Sequence, residues 1–150
     1  MAVCSPVRPS APAAAVETET SDPAIVFDHS HTIFDLLLKK YVHNGWVDYT
    51  GILSESDIFH GYLISLAEVK PDVLESWTRE QKLAFWINAY NAFTIKAIIE
   101  RYPITNRSLI GIFSEKNSIL QISGVWTRLK FDVGGLRLTL GQIEHDIIRK

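Results

Sequence analysis

Near the middle of the chain, amide side chains interrupt an apolar run in an unusual way. Residues 83–91 read LAFWINAYN, and the run continues as AFTIKAII to Ile99. The stretch is too long for a strand and apolar on nearly every side, so it predicts a helix buried in a core. Asn88 and Asn91 lie inside it, three residues apart and therefore on one helical face. At such depth each carboxamide needs a partner, because an unpaired buried amide costs about 1–3 kcal/mol. The pair either ties the helix to another part of the fold or faces a polar cleft.

Thr78 and Gln81 form a T-x-x-Q capping box that opens this helix, and Pro103 limits its far end. Upstream, Thr32 with Asp35 predicts the start of an amphipathic helix through Tyr41 and Val42, ended by Asn44-Gly45. Trp46 to Tyr49 reads as a short extended piece closed by Thr50-Gly51. Ser54 with Asp57 predicts another helix start, with Ile58, Phe59, Tyr62, Leu63 and Leu66 as its apolar stripe. Pro71 starts a helical turn or a loop through Trp77.

Residues 104–122 are ambiguous, and Ser108 to Phe113 suit one helical turn. From Trp126 to Val133 the pattern alternates, with Leu129, Phe131 and Val133 on one side. Gly134-Gly135 then reads as a two-residue hairpin turn, and Leu136, Leu138 and Leu140 alternate out of it. Thr139 with Gln142 forms a second T-x-x-Q box and opens a last helix to Lys150. The fold class is helix-rich α+β, a single domain with a central buried helix and a β-hairpin before the last helix. Ile147 and Ile148 are still apolar at the end of the sequence, which reads as an incomplete domain of poor stability on its own.

Composition narrows the function. A chain of 150 residues with 47% hydrophobic and 21% charged residues suits one globular domain. A net charge of −2 without a basic block argues against nucleic acid as a partner. No apolar run reaches membrane-spanning length uninterrupted, so no transmembrane segment is expected. Residues 1–27 differ from the rest, being small and Pro-rich and then acidic. They read as a disordered leader or the remnant of an export signal, with the small residues from Ala11 to Ala15 suiting a cleavage site. Cys4, the single cysteine, lies in this leader, so no internal disulfide is possible and lipidation of Cys4 stays open.

Glu144-His145 is the best chemical candidate, because a His held by a carboxylate serves as a general base. Adjacent helical residues point about 100° apart, however, so Glu144 need not orient His145, and an ordinary polar helix face is the alternative. Asn88 and Asn91 either polarise a substrate carbonyl or tie the central helix to a loop. Trp86 and Tyr90, four apart, read as core rather than as a stacking platform. Asp48-Tyr49 after Trp46 reads as a polar–aromatic corner that holds the first helix to the core. His29 and His31 form H-x-H, with His43 and His60 far off, and no ligand spacing predicts a metal. There is no phosphate loop and no G-x-S-x-G elbow, so no cofactor and no serine nucleophile are expected.

Four segments together resemble one family: Trp46-Val47-Asp48-Tyr49, AFWINAYN from Ala84 to Asn91, the Gly124 region, and TLGQIEHDIIR from Thr139 to Arg149. They look like domain-of-unknown-function family 547, over roughly residues 30–150. The family occurs in bacterial proteins, often with export signals, and in plant proteins behind a coiled coil. The resemblance implies that residues 28–150 are the N-terminal part of that domain. In the family an Asp-Pro-Arg-like segment, a His-Phe-Ala-like strand and a Cys near Ser and Pro follow, and this chain lacks them. It implies a complete domain that acts as a Cys–His hydrolase or transferase on peptide or amide bonds, with His145 as base and Glu144 and Asn88 in support. This chain would then be inactive alone and exported to the periplasm, envelope or medium. The alternative is a noncatalytic module that binds a protein or peptide partner.

Overall fold

The computed structural model describes residues 26–104 and 118–150. The predicted turn at Ser108 to Phe113 and nearly all of the leader lie outside them. The fold is helix-rich α+β, with six α-helices, the last continuing into a π-helix, and two separate antiparallel hairpins among the described residues.

Helix α1 spans Thr32–Tyr41 and buries Phe34, Leu37 and Tyr41. Its cap is not the predicted Thr32–Asp35 pair. His31 is the N-cap residue, in the left-handed conformation with φ 50° and no side-chain cap bond. Asp28 reaches forward instead: its carboxylate accepts the backbone N–H of Ser30 and of Thr32, each at 2.9 Å. One oxygen holds the turn before the helix through Ser30, and the other satisfies the orphan N–H of Thr32, which the Thr32 side chain cannot do. The Ser30 hydroxyl and these N–H groups hold Asp28 well below the usual carboxylate range. Asp35 pairs with Lys39 one turn on, at 2.6 Å.

Asn44-Gly45 is more than a helix stop. Strand β1 (Val42–His43) pairs with β2 (Trp46–Val47) across it. Asn44 has φ 52° and Gly45 φ 81°, the two positive values that a tight type I′ turn requires. Thr50-Gly51 does not close an extended piece but lies inside helix α2, Tyr49–Ser54. Asp48 is its N-cap, accepting Gly51 N–H at 2.9 Å, and its own N–H donates to the Tyr41 carbonyl at 2.8 Å. The corner at Asp48 thus ties α1 to α2, while Trp46 is 64% exposed.

Ser54 closes α2 rather than opening the next helix, donating its hydroxyl to the Gly51 carbonyl at 2.6 Å. Helix α3 covers Ser56–Glu68 and buries Phe59, Tyr62, Leu63 and Leu66, leaving Ile58 exposed. Helix α4, Pro71–Ser76, begins with the proline, whose missing N–H costs nothing there. Helix α5, Arg79–Ile99, is the longest element at 21 residues, and both bonds of the Thr78–Gln81 capping box are present.

A 3₁₀ turn at Ile119–Gln121 leads through turns to strand β3 (Lys130–Val133), which pairs with β4 (Leu136–Thr139). The predicted alternation holds for Phe131 and Val133, which are buried, but Leu136 is exposed. The Gly134-Gly135 turn has φ 57° and 71°, and Gly134 N–H donates to the Leu66 carbonyl at 2.9 Å. A side chain on Gly135 would run into Pro71, so the glycines let the hairpin tip press on the α3–α4 junction. The Thr139–Gln142 box opens helix α6, Leu140–Gln142, which passes into a π-helix at Ile143–Ile148. One core runs through all of this, with Phe34, Phe85, Leu66, Val125, Leu140 and Ile143 among its fully buried members.

Candidate functional site

Helix α5 is not buried on every side. Phe85, Trp86, Ala89, Ala92 and Phe93 face the core, but Leu83 is 43% and Ile87 40% exposed. Asn91 is exposed as well and Asn88 is half-buried. This corrects the expectation of two deep amides. Neither carboxamide has a side-chain hydrogen bond to any described residue, and neither needs one, because water reaches both. Leu83, Ile87 and Asn91 follow at intervals of four, and Asn88 lies beside them, so the four form one strip along the helix.

The π-helix packs on the other side of α5. Tyr90 donates its hydroxyl to Glu144 Oε2 at 3.3 Å and accepts from Trp126 Nε1 at 3.4 Å. Arg149 Nη2 donates to the other carboxylate oxygen, Glu144 Oε1, at 2.5 Å. Arg149 also donates its backbone N–H to the Glu144 carbonyl at 3.1 Å, the five-residue span of a π-turn. Residues five apart in an α-helix point about 140° away from each other; the π-turn is what brings Arg149 beneath Glu144. Gly141 places the other end: its N–H donates to the Trp126 carbonyl at 3.0 Å, and a Cβ there would lie 2.8 Å from that oxygen. Hence only glycine lets α6 start so close to the Trp126 loop.

Of the predicted site residues, Glu144 is half-buried and fully engaged with Tyr90 and Arg149. His145 is exposed and its side chain makes no hydrogen bond or ion pair with any described residue, so Glu144 does not orient it. Asn88 is joined to neither. It lies two residues from Tyr90, and such residues project about 200° apart on a helix. Trp86 is core as expected, 6% exposed, whereas Tyr90 is half-buried and carries the polar link described above. Tyr90, Trp126 and Arg149 are therefore the polar residues that the sequence reading did not assign to a site. The signal for Arg149 was weak, because a Glu and an Arg five apart face each other only in a π-helix.

His29 and His31 both touch an aromatic cluster formed with Phe27 and Trp77. Among the described residues no group of three or more His, Cys, Asp or Glu could hold a metal ion. No described helix is long and apolar enough to cross a membrane. A shallow depression of about 250 Å³ lies between α3, α5 and β3, with Phe93 and Phe131 in its lining.

The family model described as "protein of unknown function, DUF547" matches residues 74–150, just over half of the chain. The chain belongs to this family. The match takes in α5, the Trp126 loop, the β3–β4 hairpin and the π-helix, and so the whole Tyr90–Glu144–Arg149 cluster and the exposed strip of α5. No curated protein and no solved structure matches the chain.

Proposed function

We propose that the chain is a binding module whose recognition surface is the α5 strip of Leu83, Ile87, Asn88 and Asn91. The observation that carries this reading is the pairing of two large exposed apolar side chains with two water-accessible carboxamides on the longest helix. Their spacing suits an extended peptide. Residues four apart on a helix are separated by about 6 Å along its axis, and alternate residues of a strand by about 6.6 Å. Alternate apolar side chains of such a peptide would cover Leu83 and Ile87. Its main-chain N–H and C=O groups would pair with the amides, each of which offers two donors and an acceptor. The composition of residues 1–27 supports export of this module, which cell fractionation tests.

The test is selection of random displayed peptides on the whole chain, followed by titration of the enriched peptides. Enriched peptides should carry alternating apolar residues and lose at least tenfold in affinity to Leu83→Asp or Asn88→Ala. Equal binding to a Leu83→Asp/Ile87→Asp variant, or no enrichment at all, would refute the reading.

A second reading rests on His145. Its exposed ring, held on a π-helix, is open to a thiol that another segment would supply, as in a Cys–His hydrolase or transferase. His145 is the base in that scheme, and Glu144, bonded to Tyr90 and Arg149, does not orient its ring. Retained turnover after His145→Ala in a longer family member would end this reading.

A further inference from the structure

The segment before α1 closes over an aromatic cluster that the α5 strip does not use. The Phe27 ring stacks on Trp77 with centroids 5.2 Å apart and meets Phe85 edge-on at 5.4 Å. It also meets His31 edge-on at 5.2 Å. His29 stands edge-on to Trp77 at 4.4 Å. His31 is only 6% exposed. Its Nδ1 lies 2.8 Å from the Tyr62 hydroxyl of α3, and its Nε2 is buried with no hydrogen-bond partner.

A neutral imidazole fits this place, because one nitrogen bonds Tyr62 and the other is left as a lone pair among rings. An imidazolium does not. Both of its nitrogens carry hydrogen, so Nε2–H would be a buried donor without an acceptor, on a charged ring taken out of water. The surroundings offer little compensation. From its own segment His31 faces Asp28, His29 and the uncharged Phe27, whose ring in turn packs on Trp77 and Phe85, and from α3 it faces Tyr62. The Asp28 carboxylate favours the cation, but it is exposed and its oxygens serve Ser30 and Thr32. His29 opposes the cation. Burial is the largest effect and pushes the His31 imidazole below its usual value.

We propose that residues 26–31 form an acid-released latch: neutral His31 docks Phe27 on Trp77 and Phe85, and protonation of His31 undocks the segment. Release bares the faces of Trp77 and Phe85. It also frees the left-handed N-cap, so the first turn of α1 loosens with the latch. The latch segment itself lies outside the family match, which takes in the Trp77 and Phe85 it covers, and the device stands whether or not the α5 strip binds peptides.

The test is an NMR titration of the whole chain from about pH 8 to about pH 5, following the histidine ring signals and the contact between the Phe27 and Trp77 rings. His31 should take up its proton below the ordinary histidine value, and the Phe27–Trp77 contact should vanish in that same step. The contact should persist to the lowest pH in His31→Phe, which cannot be charged. A contact that survives His31 protonation, or that is lost at the same pH in His31→Phe, would overturn the proposal. Should the cluster reject the larger ring, Phe27→Ala serves: opening the cover should raise the His31 titration midpoint towards the ordinary value. An unmoved midpoint would overturn the latch equally.

Discussion

Two glycines in neighbouring helices should respond to the same substitution with opposite signs. Gly61 lies within α3, and a Cβ built there meets nothing within 4 Å. Alanine at a solvent-facing helix position is favoured over glycine by about 0.8–1 kcal/mol. Gly61→Ala should therefore stabilise the chain by that amount. Gly51 lies within α2, where the same preference applies, but its surroundings are closed. A Cβ there would sit 2.3 Å from Tyr41 Cε1, 2.4 Å from Cδ1 and 2.7 Å from Asp48 Oδ2. Carbon atoms pack at about 3.5–4.0 Å, so the Tyr41 ring must retreat by about 1 Å. That ring is 9% exposed and belongs to the core. Such overpacking costs about 1–3 kcal/mol. Asp48 is displaced at the same time, which weakens the α2 cap by about 1 kcal/mol. After the helix-propensity gain, Gly51→Ala should lose about 1–3 kcal/mol.

Thermal unfolding followed by circular dichroism reads both. At this chain length a change of 1 kcal/mol moves Tm by about 2–4 °C. Gly61→Ala should melt about 2–4 °C above the parent chain and Gly51→Ala about 2–12 °C below it. The reasoning fails if Gly51→Ala melts at or above the parent. It fails equally if Gly61→Ala is destabilising, since nothing in the structure opposes a methyl group there.

Glu144→Ala should cost about 1–2 kcal/mol in a urea melt, because Tyr90 and Arg149 lose a half-buried acceptor. Arg149→Ala, whose side chain is 63% exposed, should cost less than about 1 kcal/mol and less again in high salt. Asn88→Ala and Asn91→Ala should leave Tm within about 1 °C of the parent, since neither amide is buried and bonded; a drop of several degrees would mean that they hold the helix in place. Stability should rise with pH through the histidine range. The folded value of His31 is depressed, so its contribution is full above the unfolded value near 6.5 and is lost as pH falls below it; a flat urea midpoint from about pH 7 to about pH 5 would contradict this.

What the sequence made legible was mostly local. Thr78–Gln81 and Thr139–Gln142 are reciprocal bonds between residues three apart, and both boxes form as read. Gly134-Gly135 between two alternating runs identified its hairpin for the same reason. Asn44-Gly45 was harder, because Asn-Gly ends a helix and turns a hairpin with equal ease. The strands beside it are only two residues long, too short to show a period. Asp28 and Asp48 carry no such signature, because neither is a hydroxyl with an acidic or amide partner three residues on.

The long-range features were not legible, and α5 shows why. An apolar run predicts burial only if some other element covers each face, and the sequence does not say which faces are covered. In this fold Phe27 and Trp77 close over Phe85, and Phe131 of β3 stacks on Phe93, while Leu83 and Ile87 stay 43% and 40% exposed. The same rotation decides the chemistry. Tyr90 meets a carboxylate 54 residues away because it shares the covered side. Asn88, two residues earlier, is turned away from that carboxylate and towards solvent. The run AFWINAYN therefore serves two surfaces at once. Tyr90 ties the π-helix to α5, Phe85 and Trp86 pack in the core, and the amides are open to whatever approaches from outside. If the strip does bind peptides, substitutions on the two sides should separate cleanly: Tyr90→Phe should lower stability by about 1 kcal/mol and leave peptide affinity alone, and Asn91→Ala should do the reverse. Paired loss of stability and affinity from both variants would mean that the two faces act as one, and the division argued from the rotation of α5 would fall.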